Sequence, residues 1–355
     1  MSASSFETIR QGKHKPDWCT RDLETIRIAV VGAGYWGRKV IREILAVSGG
    51  SDAVRLHAIV DNSPTMLGQC RKEFGDQEYR LDYKDLLSDP DLTAVHICTP
   101  NPTHYEVASA FLKHGKNVMV EKPLTLKSGE AYELVRLARE NSAVLCVGHI
   151  HRFNNGVREL KRVLSSGVLG EPYYLRLRWT GLLPPQMQRD VITDLAPHPF
   201  DICNYLTDRW PSRIACKARG YRTPGNEEVA FITAEYDGGL TAQVEVSWLD
   251  QEKHRDVAIV ASKGTAFLDC SDQQAVLVLP DKIEPIKVTP SNTIGMEIVH
   301  FIDCIINRKD SEFANQSDGF LGARVVRILE AAKESLIQDR TVPVDVPMLE
   351  KILAG

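Results

Sequence analysis

The chain has 355 residues, a length that predicts two domains rather than one. Its formal net charge of −4 gives no general attraction to nucleic acid or to an anionic membrane, so we expect neither as a partner. No apolar run reaches the length of a membrane span, and residues 1–24 lack the apolar core of a signal peptide. The eight cysteines contain no C-x-x-C pair, which favours free thiols and a cytoplasmic location.

A glycine-rich turn follows the first apolar stretch of the chain. Residues 26–31 form a β-branched apolar run, which is typical of a strand buried on both faces. A G-x-G-x-x-G pattern comes next and leads into a helix predicted over 38–46. Strand, glycine turn and helix in this order predict a dinucleotide site, where pyrophosphate lies against the helix N-terminus. The residues of this turn that we expect at the cofactor are Gly32, Gly34, Tyr35, Trp36 and Gly37.

An acidic residue ends the second predicted strand, which covers residues 56–60. This residue, Asp61, lies 29 positions after Gly32. An acid at this place binds the ribose hydroxyls of the cofactor and repels a 2′-phosphate. The neighbouring Asn62 and Ser63 supply no cation for such a phosphate, so the sequence predicts NAD rather than NADP.

Strands and helices alternate as far as residue 150. The further predicted strands cover 94–99, 117–121 and 143–148, the helices cover 64–74, 103–114 and 128–141, and a helical turn covers 83–87. The alternation predicts a parallel, doubly wound sheet in a dinucleotide-binding domain over 25–150, with ligands at the carboxyl ends of the strands. The residues near those ends that we expect to contact the cofactor are Thr99, Asn101, His104, Glu121 and Lys122.

The pattern changes after residue 157 to longer alternating strands. They are predicted over 172–179, 229–236, 240–248, 256–261, 265–269, 275–279 and 286–289, with helices over 158–166, 194–206, 293–306 and 320–338. We expect a substrate and oligomerisation domain over 151–355, whose last helices pack back towards the first domain. Residues 1–24 are an N-terminal extension. The predicted fold class is therefore α/β, with a Rossmann domain followed by an α/β domain built on an open, mainly antiparallel sheet.

Three further side chains suit acid–base chemistry. Lys122 ends a strand beside the expected nicotinamide, although a surface lysine before a proline turn has the same sequence signal. Asp194 and His198 lie four residues apart and share one face if the segment is helical. Asp194 also suits a helix N-cap. The pair suits metal ligation only with further ligands, for which His149 and His151 are the near candidates, and we expect no metal.

These motifs together resemble the glucose–fructose oxidoreductase, inositol dehydrogenase and rhizopine-catabolism oxidoreductase family. The resemblance runs from residue 26 to about residue 344. Its marks are V-G-A-G-Y-W-G at 31–37, C-T-P-N-P-T-H at 98–104, E-K-P at 121–123 and the pair of Asp194 and His198. The resemblance implies an NAD-binding Rossmann domain and an open sheet that forms contacts in a homodimer or homotetramer. It also implies that Lys122, Asp194 and His198 surround the hydroxyl to be oxidised.

Within the family, residues 148–155 and 190–198 most resemble UDP-N-acetylglucosamine 3-dehydrogenases and related nucleotide-sugar 3-dehydrogenases. This resemblance implies a nucleotide sugar as the small-molecule substrate and oxidation at C3 of a UDP-linked 2-acetamido sugar. An inositol or free-sugar dehydrogenase, or a nucleotide-sugar 3-ketoreductase, remains an alternative. A non-enzymatic NAD-binding regulator is an alternative of another class, since a galactose-pathway repressor is similar in fold. A regulator has no use for the three acid–base residues, which argues for an enzyme.

The expected roles follow from the chemistry of each side chain. His198 is the predicted base because histidine titrates nearest neutral pH, and Asp194 is expected to orient its imidazole. Lys122 is expected to stabilise the developing alkoxide, and the reverse assignment of Lys122 and His198 remains open. The predicted substrate contacts are His149, Arg152, Asn154 and Arg176, and a solvated surface position is the alternative for Arg176.

Overall fold

The structure is a computed structural model that describes residues 25–186, 189–310 and 313–345. These residues divide into two compact units. The first unit contains residues 25–150 and 291–323, and the second contains 151–290 and 324–345. The predicted N-terminal extension, residues 1–24, lies outside the described residues. Within the described part of the chain, the structure has no helix of the length and apolarity needed to cross a bilayer.

The first unit contains a parallel sheet of six strands. They are β1 Ile26–Val31, β2 Val54–Val60, β3 Tyr79–Arg80, β4 Ala94–Ile97, β5 Asn117–Val120 and β6 Leu145–Val147. Their spatial order is β3-β2-β1-β4-β5-β6, the Rossmann order, in which the direction of strand addition reverses next to β1. Strands β4, β5 and β6 are buried along their whole length, as expected for strands covered on both faces. This sheet confirms the predicted Rossmann domain.

The helices begin and end as follows. They are α1 Tyr35–Ser48, α2 Pro64–Phe74, α3 His104–Lys113, α4 Ser128–Glu140, α5 Asn155–Ser165, α6 Val191–Leu195, α7 Pro197–Thr207, α8 Thr293–Ile306 and α9 Gly319–Gln338. Short 3-10 turns cover Tyr83–Leu86, Asn101–Thr103 and Ile150–Phe153. Helix α8 belongs to the first unit, where Ile298, Phe301 and Ile302 share a buried core with residues of α1.

A late segment of the chain also completes the edge of the first sheet. The backbone N–H of Val147 in β6 donates to the carbonyl of Ser317 at 2.8 Å. Cys146 in the same strand forms an antiparallel bridge with Asp318. The nucleotide-binding unit is therefore discontinuous in sequence, because residues 291–323 return to it after residues 151–290, which belong to the second unit.

The second unit contains a mixed sheet of nine strands. They are β7 Pro172–Thr180, β8 Arg213–Arg219, β9 Val229–Glu235, β10 Thr241–Ser247, β11 His254–Ala261, β12 Gly264–Asp269, β13 Gln274–Leu279, β14 Lys282–Ile286 and β15 Val342–Pro343. Their order is β14-β13-β12-β11-β7-β10-β9-β8-β15. All neighbours pair antiparallel except β7 and β10, which pair parallel. The predicted fold class is thus confirmed.

Three details of the second unit differ from the sequence prediction. The helix predicted over 194–206 is two helices, α6 and α7, because the ring of Pro197 cannot fit inside a continuous helix. Strand β8 was not predicted, although exposed Arg213 and Lys217 alternate along it with buried Ile214 and Cys216. The last predicted strand, 286–289, is displaced to Lys282–Ile286.

Candidate active site

The glycine turn between β1 and α1 has the geometry of a phosphate-binding turn. Gly32 has a φ of +95°, and a Cβ there would lie 2.6 Å from the backbone carbonyl of Cys98. A Cβ at Gly37 would lie 1.9 Å from the carbonyl oxygen of Gly32. Both positions therefore exclude a side chain. Gly34 has nothing within 4 Å of its ideal Cβ, so the open side of the turn lies there, at the N-terminus of α1.

Asp61 is attached directly to this turn. Its Oδ2 accepts a hydrogen bond from the backbone N–H of Ala33 at 2.8 Å, and its Oδ1 accepts one from Ser63 at 2.9 Å. Each carboxylate oxygen has a second lone pair, which leaves acceptor capacity for ribose hydroxyls. The open space at Gly34 and the oriented carboxylate of Asp61 fit a dinucleotide without a 2′-phosphate.

The two aromatic residues of the turn have different positions. Tyr35 is 73% exposed, and the Lys39 ammonium lies 4.4 Å from the centre of its ring. Trp36 points towards the sheet, and its indole N–H donates to Oε1 of Glu121 at 2.5 Å. The structure therefore places Tyr35 at the surface of the turn, whereas the polar edge of Trp36 is occupied by a buried carboxylate.

Glu121, which follows β5, lies in a group of titratable side chains. Its Oε1 also contacts Nε2 of His96 at 3.1 Å. Ligand atoms of His96, Cys98 and Glu121 all lie within 4.8 Å of one another. Trp36 and His96 both contact Oε1 of Glu121, so this one oxygen bonds to two side chains.

The segment after β4 holds three of the predicted cofactor contacts. Thr99 and Asn101 are partly exposed, and Thr99 accepts a hydrogen bond from the hydroxyl of Thr103 at 2.8 Å. His104 is fully buried, with Nδ1 2.8 Å from the carbonyl oxygen of Pro123 and Nε2 2.9 Å from that of Thr99. Burial lowers the pKa of His104, against the raising effect of these carbonyls. The structure thus places His104 behind the site, where it links two loops.

Lys122 follows Glu121 at the carboxyl end of β5. It precedes a cis peptide bond to Pro123 and is partly buried. The sheet therefore brings five of the predicted residues to one edge of the first unit, because parallel strands all end on the same side. These residues are Gly34, Asp61, Thr99, Glu121 and Lys122.

In the second unit, Asp194 and His198 stand on either side of a helix break. Asp194 belongs to α6, and His198 is the second residue of α7. Two donors hold the Asp194 carboxylate: Nη1 of Arg189 lies 3.1 Å from Oδ1, and Nε1 of Trp248 lies 3.3 Å from Oδ2. The charge of Asp194 also acts on Arg255, whose pKa is lowered by burial and raised in part by this carboxylate. A second cation therefore stands near Asp194.

The imidazole of His198 packs in an aromatic group. Its ring centre lies 4.9 Å from that of His151 in an edge contact and 6.2 Å from that of Trp179 in a stacked one. His151 also meets Trp179 edge to face, with ring centres 5.1 Å apart. Sequence analysis gave no role to Trp179, Trp248 or Arg189. Their positions near Asp194 and His198 depend on the sheet and its loops, which no local pattern reveals.

Among the four predicted substrate contacts, Arg152 and Asn154 form hydrogen bonds within the second unit, and Arg176 lies on the exposed face of a strand. Arg152 is buried and donates to Oδ1 of Asp201 at 2.6 Å. Asn154 caps α5 by accepting from Val157 N–H at 3.1 Å. Both side chains therefore take part in the folding of the second unit, and their role as substrate contacts stays a prediction. Arg176 alternates with Leu175 and Leu177 and lies on the exposed face of β7, away from Trp179.

The fourth predicted substrate contact, His149, follows β6 in the first unit and is 1% exposed. Its backbone N–H donates to the carbonyl of Val147 at 2.7 Å. The end of the parallel sheet therefore fixes the backbone of His149. This residue is also close in sequence to the loop that leads into α5.

The Rossmann sheet, the glycine turn and Asp61 define an NAD-binding protein. Residues 26–149 match the description "Oxidoreductase family, NAD-binding Rossmann fold", and residues 157–267 match "GFO/IDH/MocA C-terminal domain". The chain belongs to the GFO/IDH/MocA family, as the sequence resemblance predicted.

Relatives of the chain include two named inositol dehydrogenases. It is 26% identical over 301 residues to scyllo-inositol 2-dehydrogenase (NAD(+)) of Bacillus subtilis, covering 80% of this chain and 87% of that one. It is 24% identical over 272 residues to myo-inositol 2-dehydrogenase of Thermotoga maritima, covering 72% and 79%. Among solved structures, UDP-N-acetylglucosamine 3-dehydrogenase GnnA of Acidithiobacillus ferrooxidans superposes with a TM-score of 0.77 at 23% identity, covering 88% and 98%. This last likeness shows a shared fold.

Proposed function

We propose that the protein oxidises a secondary alcohol of a sugar or polyol, with NAD as the electron acceptor. The observation that carries the proposal is the arrangement around Asp194, whose carboxylate has two donors while the neighbouring His198 packs against two aromatic rings. A held carboxylate close in sequence to an imidazole suits a general base. The relatives named for inositol oxidation support a polyhydroxylated substrate.

The proposed roles follow from this arrangement. Bound NAD supplies the hydride acceptor. His198 accepts the proton of the substrate hydroxyl, and Asp194 favours the charged imidazolium that results. Lys122 donates a hydrogen bond to the oxygen as it gains negative charge. In a second form of the same proposal, Lys122 is the base and His198 donates a hydrogen bond to the oxygen.

For the particular substrate, we propose C3 of a UDP-linked 2-acetamido sugar, such as UDP-N-acetylglucosamine. The motifs at 148–155 and 190–198 support this choice, as does the fold shared with GnnA.

A second candidate is inositol oxidation, which the scyllo-inositol and myo-inositol dehydrogenases favour. Both candidates are tested by incubating the protein with NAD and a panel of UDP-sugars, free sugars and inositols. Products are measured by mass spectrometry, because a cofactor that stays bound would hide net reduction. A 3-keto nucleotide sugar supports the first candidate, and turnover of inositols alone supports the second. If the protein binds NAD but forms no product from nucleotide sugars or from inositols, both candidates are contradicted.

We also propose a homodimer or homotetramer formed through the exposed face of the second sheet. Strand register places Tyr174, Phe267 and Ile283 on this face, and all three are exposed. Exposed apolar patches on a sheet are typical of interfaces. Light scattering would test this, and Phe267→Glu should shift the protein towards monomers.

The seven cysteines among the described residues are free thiols, which supports a cytoplasmic location.

A further inference from the structure

A buried carboxylate stands beside the cofactor turn, at the carboxyl end of β5. Glu121 is 8% exposed, and its Oε1 accepts hydrogen bonds from Nε1 of Trp36 at 2.5 Å and from Nε2 of His96 at 3.1 Å. Trp36 belongs to the glycine turn and His96 to β4. The carboxylate is therefore bonded to the turn that receives the pyrophosphate and to the strand next to β5.

The position of this carboxylate is closely constrained. A Cβ on Gly148 would lie 2.7 Å from Oε2 of Glu121, so the backbone after β6 packs directly against the second oxygen. His96, which contacts the first oxygen, is 1% exposed. A carboxylate held in this way has few alternative positions, and its charge acts from one place.

The charge of Glu121 already acts on its surroundings. The pKa of the Cys98 thiol is raised well above its usual value, first by burial and then by the charges of Glu121 and Glu297. Charges separated from bulk water interact more strongly than exposed ones. A charged ligand group at this edge of the sheet would experience the same field.

We propose that Glu121 discriminates between the two oxidation states of the cofactor and favours NAD⁺ over NADH. The nicotinamide ring carries a positive charge when oxidised and none when reduced. In this strand order Asp61 at the end of β2 would hold the adenosine end of a bound cofactor, and residues at the ends of β4 and β5 would hold the nicotinamide end. A fixed carboxylate at the end of β5 therefore stabilises the oxidised ring selectively. The inference depends on NAD binding and is independent of the alcohol substrate.

The test compares the affinities of three ligands for the purified wild-type protein and for Glu121→Gln. Glutamine keeps an acceptor for Trp36 and His96 but removes the charge. Calorimetric titration should show that the Kd of NAD⁺ rises roughly 10-fold relative to that of NADH, the scale of one screened charge pair. ADP-ribose, which lacks the nicotinamide, should change by the same factor as NADH.

The matched control is Trp36→Phe, which removes one donor and keeps the carboxylate. It should change the Kd of NAD⁺ and of NADH by equal factors. If Glu121→Gln changes the Kd of NAD⁺ and the Kd of NADH by the same factor, Glu121 has a structural role alone and the proposal is overturned. If circular dichroism shows that the glutamine variant is unfolded, Glu121→Asp and Glu121→Asn are compared instead. Their side chains are shorter than glutamate, equal in length to each other, and differ in charge. Equal NAD⁺ to NADH ratios in that pair would likewise overturn it.

Discussion

The indole nitrogen of Trp248 lies 3.3 Å from Oδ2 of Asp194. Trp248 is fully buried directly after β10, whereas Arg189, which also donates to this carboxylate, has a side chain that is 42% exposed. The indole therefore supplies the rigid contact and the guanidinium the adjustable one. Since a buried indole loses little freedom when it donates, we infer that Trp248 determines the orientation of Asp194.

Replacing this donor should affect turnover more than binding of the cofactor. Trp248→Phe keeps most of the packing but removes the N–H, and a hydrogen bond to a charged group contributes about 1.5–3 kcal/mol. We expect kcat to fall by roughly 10-fold or more while the Kd of NAD is unchanged. Trp210→Phe is the control, because the ring of Trp210 faces the guanidinium of Arg324, at 5.5 Å, rather than a carboxylate. An unaltered kcat in Trp248→Phe would remove the indole from the site.

Substitution by alanine should have different effects at two glycines of the cofactor turn: one variant should lose stability and the other should lose affinity for NAD. Gly32→Ala forces a side chain into a positive φ and against the Cys98 carbonyl, so we expect a loss of about 1–3 kcal/mol in the free energy of unfolding. Gly34→Ala has space and an extended backbone, so it should keep its Tm but bind NAD more weakly. Thermal unfolding and NAD titration of both variants check this. A stable Gly32→Ala would show that the turn relaxes more easily than its contacts indicate.

Asp61 should determine the choice between NAD and NADP. Asp61→Ala removes the ribose acceptor and the negative charge, so the Kd of NAD should rise and the preference over NADP should weaken. Asp61→Asn is the control, since it keeps an acceptor for the N–H of Ala33 but lacks the charge. It should bind NAD better than the alanine variant and still discriminate poorly. A wild-type ratio of the two Kd values in both variants would exclude Asp61 from the site.

Lys122→Ala and His198→Asn should each lose turnover and keep both the fold and NAD binding. A positioned acid or base contributes about 10²–10⁴-fold, and a donor to the developing alkoxide about 10²–10³-fold. Single-turnover rates across pH separate the roles: the base must be deprotonated to act, so only its loss should remove the decline at acidic pH. Near wild-type rates in both variants would show that neither group takes part in the chemistry.

The sequence predicted the first unit best, because its signals are local. Strand β1 and helix α2 have the bounds that the sequence predicted. An apolar run ending in glycine defines β1, while a Ser63 cap and Pro64 at the first turn define the start of α2. The break between α6 and α7 was missed because the apolar spacing continues through Ala196, and Pro197 is compatible with a new helix as well as an interrupted one.

The site could be predicted in part. Motif residues at strand ends were found because parallel strands end together. The partners of Arg152 and Asn154 could not be predicted: Arg152 pairs with Asp201, 49 positions away, and Asn154 donates to the carbonyl of Cys270, 116 positions away. A polar side chain that satisfies a distant buried partner has the same local sequence signal as one that contacts a ligand.

The discontinuity of the nucleotide-binding unit has a consequence for synthesis on the ribosome. When only residues up to 150 have emerged, strand β6 lacks the backbone contacts that Ser317 and Asp318 later provide. The surface that α8 covers with Phe301 is also bare at that stage. Exposed strand edges and apolar surfaces favour aggregation, so we expect a nascent chain of this length to need protection from aggregation until residues 291–323 are made. The six-stranded sheet, although translated before the nine-stranded one, thus reaches its finished structure only after residues 151–290 have been made.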